Sequence, residues 1–236
     1  MTTAPGAGPT GGRVLPRYGV ASIADILPSA LAVLGVPGAP DPLHLREPLE
    51  GVRRVGVLLL DGLGYHLLPA AARDAPVLAD VVAGRLGRLS ALTSGFPSTT
   101  PTSLVSLGTG TPPGAHGILG FTLNIPGTAD VLTHILWRDQ PAPALWQPVP
   151  TEFTVAASAG VHGSAVLDAR FAGSGLTVAA YGGAAMIAGQ GPDEVAAEML
   201  RALSGPAPNL VYGYHGQVDS DGHEFGVGSP RWREAV

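Results

Sequence analysis

The sequence predicts an α/β fold with a mostly parallel sheet. Val55-Gly56-Val57-Leu58-Leu59-Leu60 is a short apolar run without alternation, ending at Asp61-Gly62. Such a run reads as a strand buried on both faces, as in a parallel sheet. Two further short strands, at 164–168 and 209–214, are separated from it and from each other by stretches with helical spacing. Strands alternating with helices build parallel sheets.

The elements follow in order. Ile23, Ile26, Leu27, Leu31 and Leu34 fall at helical spacing over 21–34, and Gly35 is placed to end that helix. Residues 36–50 are Pro-rich and read as loop. After the 55–60 strand come helical stretches at about 64–73 and 76–84, then a short strand near 87–92. Phe96-Pro97-Ser98-Thr99-Thr100-Pro101 is a turn, and Thr102 to Leu107 continues as helix with Pro101 in its first turn. Residues 108–130 read as Gly/Pro-rich loop. Gln140 to Pro150 holds four prolines and reads as a second long loop. Helix is expected at 151–159 and 192–204. Asn209 to Tyr214 runs into a polar loop at 215–230, and Ser229 to Val236 reads as the first turns of a helix.

Composition narrows the chemistry. The 236 residues are 45% hydrophobic and 13% charged, with 34 Gly, 23 Pro and no Cys. The absence of Cys excludes disulfides, thiolate nucleophiles and iron–sulfur clusters. All 13 basic residues are Arg, so a P-loop lysine or a Schiff-base lysine is excluded too. A net charge of −5 without an Arg cluster beyond Arg53-Arg54 argues against a nucleic-acid polymer as partner. No stretch has about 20 clean apolar residues, so no membrane span is expected, and the expected location is cytoplasmic. Residues 1–17 read as a flexible tail before a domain over 18–236.

Ligands of parallel sheets bind at the carboxyl ends of strands, which singles out three places. Asp61 directly follows the first strand, where a carboxylate can reach a metal or simply serve a turn. Thr99-Thr100-Pro101 precedes a helix, where backbone N–H groups and the dipole stabilise an anion. A hydroxyl there suits attack on phosphate; the plainer reading is an N-cap threonine. Asp219-Ser220-Asp221-Gly222-His223 follows the last strand. Asp219 and His223 pair a carboxylate with an imidazole, as Zn²⁺ prefers, with Asp221 a lesser candidate. Two acids, a hydroxyl and an imidazole suit metal-assisted phosphoryl or sulfuryl transfer.

Three segments carry a resemblance: VGVLLLDGLGYHLL, FPSTTPTSLVSLGTGTPPGAHGILGF and VYGYHGQVDSDGHEFGVGS. Over roughly residues 53–233 the chain resembles the alkaline phosphatase superfamily, most closely its nucleotide pyrophosphatase/phosphodiesterase branch. The resemblance implies a three-layer α/β/α fold with two zinc ions, Mn²⁺ being an alternative metal. It implies hydrolysis of a phosphodiester or nucleotide pyrophosphate bond in a small phosphate ester or nucleotide. Thr100 matches the nucleophile that also touches one metal, Asp61 the first metal-binding Asp, and Asp219 and His223 ligands of the other metal. His116 matches a His read as structural.

Two departures accompany the resemblance. The family's phosphate-binding Asn falls 21 residues after the nucleophile, where Phe121 stands; Asn124 is the nearby substitute. The sequence stops at Val236, 13 residues after His223, before the expected Asp-His-Gly motif and a further His. A catalytically incomplete fragment or a non-catalytic relative is therefore one alternative expectation. A phosphonate or phosphomonoester hydrolase on the same fold is another. An insertion over about 122–150, with Trp137 and Trp146, is expected to wall or cap the substrate.

Overall fold

The computed structural model describes residues 14–236. Most of the tail expected over 1–17 therefore lies outside the described residues. Contacts divide the chain into two units. Of the described residues, one takes Val14, Leu58–Leu92 and Tyr214–Val236; the other takes Leu15–Val57 and Thr93–Gly213.

Ser22 opens the first helix, where Asp25 accepts hydrogen bonds from the Ser22 backbone N–H (2.7 Å) and hydroxyl (3.0 Å). One 3-10 turn, Ile23–Asp25, leads into α1, Ile26–Val33. Gly35 follows with a left-handed φ of 81°, the expected terminator. Strand β1 is Arg54–Leu60. Short helices α2, Leu68–Ala71, and α3, Pro76–Val82, come next. Residues 87–92 form no strand. Thr93 makes an isolated bridge to Ser22 instead, because Gly87 and Arg88 interrupt the apolar run that a strand would need.

Helix α4 spans Thr100–Thr109, with Pro101 in its first turn as expected. Where the sequence suggested loop, α5, Pro113–His116, is followed by a hairpin of β2, Thr122–Asn124, and β3, Val131–Thr133. Strands of three residues fall below any periodicity window. Helix α6 is Pro143–Trp146 within the Pro-rich stretch, and α7 is Glu152–Ser158, capped by Thr151. Then follow β4 (His162–Leu167), α8 (Gly175–Tyr181) and β5 (Ala185–Ala188). After these come α9 (Gly191–Leu203) and β6 (Asn209–His215). The segment expected as a polar loop is helix α10, Gln217–Phe225, and α11 is Pro230–Ala235.

The main sheet has the order β1-β6-β4-β5. β4 runs parallel to both neighbours, pairing Ala165 with Tyr212 on β6 and with Met186 on β5. Side chains alternate across the faces of a strand. Val166 and Val211 therefore share one face, where they pack on Val195 and Met199 of α9. Gly163 and Tyr212 take the other face. There Gly163 lies under the Phe153 ring of α7, and the Tyr212 ring stacks 4.6 Å from Tyr181 of α8. Helices on both faces complete the α/β layering that the sequence predicted.

A further expectation is corrected. β1 is an edge strand, not one buried on both faces, and Leu58 is 53% exposed. An unbroken apolar run does not reveal where its strand sits in the order.

In the second unit, α4 packs closely on α8. A Cβ on Gly108 would lie 1.9 Å from the Ala180 carbonyl oxygen. In the first unit, Ala71, Val218 and Trp232 form a separate core that ties α2, α10 and α11 together.

Candidate functional site

Asp61 and the ligands expected after β6 come together in the first unit. The Asp61 N–H donates to the His215 carbonyl (2.9 Å), which carries the β1–β6 ladder past the strand end. Both oxygens of the Asp61 carboxylate are held. Oδ1 accepts from the Gly62 N–H (3.0 Å) and Oδ2 from the Tyr214 hydroxyl (2.8 Å). Gly62 has φ +75°, and a Cβ there would lie 2.6 Å from the Asp219 Cα. Only glycine lets this turn pack directly against the start of α10.

Asp219 and His223 sit four apart on α10, not in a loop, so one helical turn stacks them on the same face. His223 Nε2 lies 3.5 Å from Asp219 Oδ1. Burial raises the Asp219 carboxyl above its ordinary range. The nearby Asp61 charge adds to that rise, and His223 opposes it. With Gly62, Val218, Gly222, Val227 and Trp232 these two residues line a depression of about 150 Å³. Asp221 is buried, and its Oδ1 accepts from the Gln217 side chain (2.8 Å). His215 is pushed below its usual value by burial.

These donors match a divalent cation in kind: carboxylate oxygen and imidazole nitrogen. They do not match it in number. Among the described residues, no group of three His, Asp or Glu converges as a metal cage. The structure offers an Asp219–His223 pair with Asp61 as its electrostatic neighbour, and not a full coordination shell.

Thr100 belongs to the second unit, as the first residue of α4. Thr99 precedes it in extended conformation, and its hydroxyl donates to Thr102 Oγ1 (3.0 Å). The positive end of the helix dipole therefore lies at Thr100. His116 is fully buried; its Nδ1 accepts from the Ile118 N–H (3.1 Å), so Nε2 carries the proton toward Ser106 Oγ (2.9 Å). Burial lowers its pKa to about 4. Both ring nitrogens of His116 are thus engaged inside the fold. Asn124 is exposed at the end of β2, opposite Val131. Phe121 is 41% exposed, and its carbonyl accepts from the His134 N–H (3.1 Å).

Tyr214 was missed by sequence reasoning. Its signal was present, a polar-tipped aromatic at the end of the strand beside the one that ends in Asp61.

The family model for type I phosphodiesterase/nucleotide pyrophosphatase matches residues 55–236. The chain belongs to this family. Among solved structures it resembles murine ectonucleotide pyrophosphatase/phosphodiesterase 5, in an inactive form in complex with AMP. The TM-score is 0.53 at 18% identity, covering 78% of this chain and 48% of that one. The chain therefore spans about half the length of that phosphodiesterase, and at this identity the likeness shows the fold. No curated protein matches the chain. Among the described residues, no helix is long and apolar enough to cross a membrane.

Proposed function

We propose that the chain contributes to metal-dependent hydrolysis of phosphodiester or nucleotide pyrophosphate bonds, with Thr100 as nucleophile. Asp61, Asp219 and His223 are proposed as metal ligands, zinc being favoured by the mix of carboxylate and imidazole. The observation that carries the reading is the position of Thr100 at the start of α4, inside the segment that matches the family. The AMP bound to the murine relative supports a nucleotide as the substrate class.

In this reading Thr100 Oγ1 attacks phosphorus. The Oγ1–P bond forms, the bond to the leaving oxygen breaks, and the leaving group departs as an alcohol or a nucleoside phosphate. Water then cleaves the Oγ1–P bond of the threonine-linked phosphate ester, releasing the remaining monoester and returning a proton to the threonine hydroxyl. The N-terminus of α4 favours the negative charge that gathers on the phosphoryl oxygens. A divalent ion, when bound, supplies charge stabilisation and lowers the pKa of an oxygen ligand. Tyr214 and the Gly62 N–H hold the Asp61 carboxylate in one orientation.

The test is turnover of bis-p-nitrophenyl phosphate with added Zn²⁺, comparing the chain with Thr100→Ala. Loss of the hydroxyl removes a covalent step, so the rate falls by about 10³-fold or more. Equal rates would remove Thr100 from the chemistry.

A further inference from the structure

A second concavity lies in the Leu15–Val57/Thr93–Gly213 unit. It measures about 510 Å³ and is lined by Tyr18, Asp25, Pro28, Pro40, Pro42 and Pro112, with backbone from Gly19, Ala24 and Gly110. That volume falls within the range of about 300–1,000 Å³ typical of small-molecule sites. Gly110 closes α4, whereas Thr100 opens it. The concavity is therefore distinct from any chemistry at Thr100.

Its walls are fixed. Four of the lining residues are prolines, whose rings cannot swing away. The Tyr18 hydroxyl accepts from the Phe96 N–H (3.2 Å), and the 40–46 loop is pinned by Leu43 N–H to Ser29 Oγ (3.2 Å). Asp41 tightens the same loop by accepting from the N–H groups of Leu45 and Arg46, each at 2.9 Å. Ligand entry therefore costs little reordering.

Its charge is one-sided. Asp25 is 3% exposed and is held by Gly19 and Ser22 N–H groups. Gly110 brings the C-terminal, negative end of α4 to the wall. Glu152 of α7 does not itself line the concavity but stands beside Gly110 and Pro28, which do. A Cβ on Gly110 would lie 2.5 Å from Glu152 Oε1 and 2.7 Å from Pro28 Cγ, so the carboxylate and the proline ring close on the same point. Among the described residues the Glu152 carboxylate has no hydrogen bond or ion pair. No Arg or His lines the concavity.

We propose that this concavity binds a small organic cation, a primary ammonium on a compact apolar body. The ammonium would sit at Gly110, within reach of the Glu152 charge beside it, and the apolar body would lie against the proline rings and the Tyr18 ring. Desolvation already raises Glu152 to about 7, so an arriving cation compensates a carboxylate that burial disfavours.

The test is isothermal titration of the full chain with benzylammonium and with benzyl alcohol, a neutral probe of similar size, at pH 8. Benzylammonium should bind about tenfold tighter, a difference of about 1.4 kcal/mol. Glu152→Gln keeps the shape and removes the charge, so it should abolish the preference while leaving weak binding of both probes. Proton NMR contacts between the bound probe and the Tyr18 ring should locate the site. Equal affinity for the two probes, a preference that survives Glu152→Gln, or no benzylammonium binding would overturn the proposal.

Discussion

The Tyr214 hydroxyl donates a 2.8 Å hydrogen bond to Oδ2 of Asp61, joining the ends of β6 and β1 across 153 residues of sequence. Gly216 makes room for it. A Cβ there would lie 2.9 Å from that hydroxyl. A bond to a carboxylate contributes more than one between neutral groups. Tyr214→Phe should therefore destabilise the chain by about 1–2 kcal/mol in urea unfolding. Unchanged stability would mean that water serves Asp61 equally well.

Gly62→Ala should be more damaging. The new methyl meets the Asp219 backbone at 2.6 Å, and the left-handed φ of 75° penalises any Cβ. Overpacking and the backbone penalty together predict a loss of about 2–4 kcal/mol. Thermal unfolding would show it. Gly64→Ala, which meets nothing within 4 Å, is the control and should stay within about 1 kcal/mol of the parent.

These two sites also show how far the sequence could be read. Asp61 was legible because an apolar run that stops at Asp-Gly marks a strand end. Thr100 was legible because Pro101 and the apolar spacing after it mark a helix start. Helix α10 was not, since Asp219, Ser220, Asp221 and Gly222 are poor helix formers. Its stability comes from elsewhere in the chain, through Val218 against Trp232 and Ala71. The exposure of β1 was hidden for a related reason, as strand order is a property of the assembled sheet. Family resemblance singled out Asp219 and His223 as candidates, but nothing local in the sequence announced their helical stacking or the anchoring of Asp61 by Tyr214.

Metal binding can be measured without turnover. If Asp219 and His223 share a cation, Asp219→Asn and His223→Ala should each weaken Zn²⁺ binding by at least ~10-fold, read by competition with a chromogenic chelator. Asp221→Asn should leave affinity unchanged, because that carboxylate is turned toward Gln217. Equal affinity in all four proteins would place the cation elsewhere.

Two groups push stability in opposite directions with pH, the buried His116 and the half-buried Glu152. His116 titrates near 4 in the folded chain against an ordinary 6.5. Its contribution is complete above 6.5 and is lost as pH falls toward 4, because the unfolded chain takes up the proton first. Glu152 titrates near 7 against 4.5. Its contribution is complete below 4.5 and is lost as pH rises through 7, because the unfolded chain releases the proton first. Between 4.5 and 6.5 the two slopes oppose each other, each at most about 1.4 kcal/mol per pH unit. Glu152→Gln removes one of them. Urea unfolding from pH 4.5 to 7 should therefore show the variant gaining on the parent at every step, the gap widening by up to that slope. A gap that stays constant across the range would show that the Glu152 carboxyl is solvated in the folded chain.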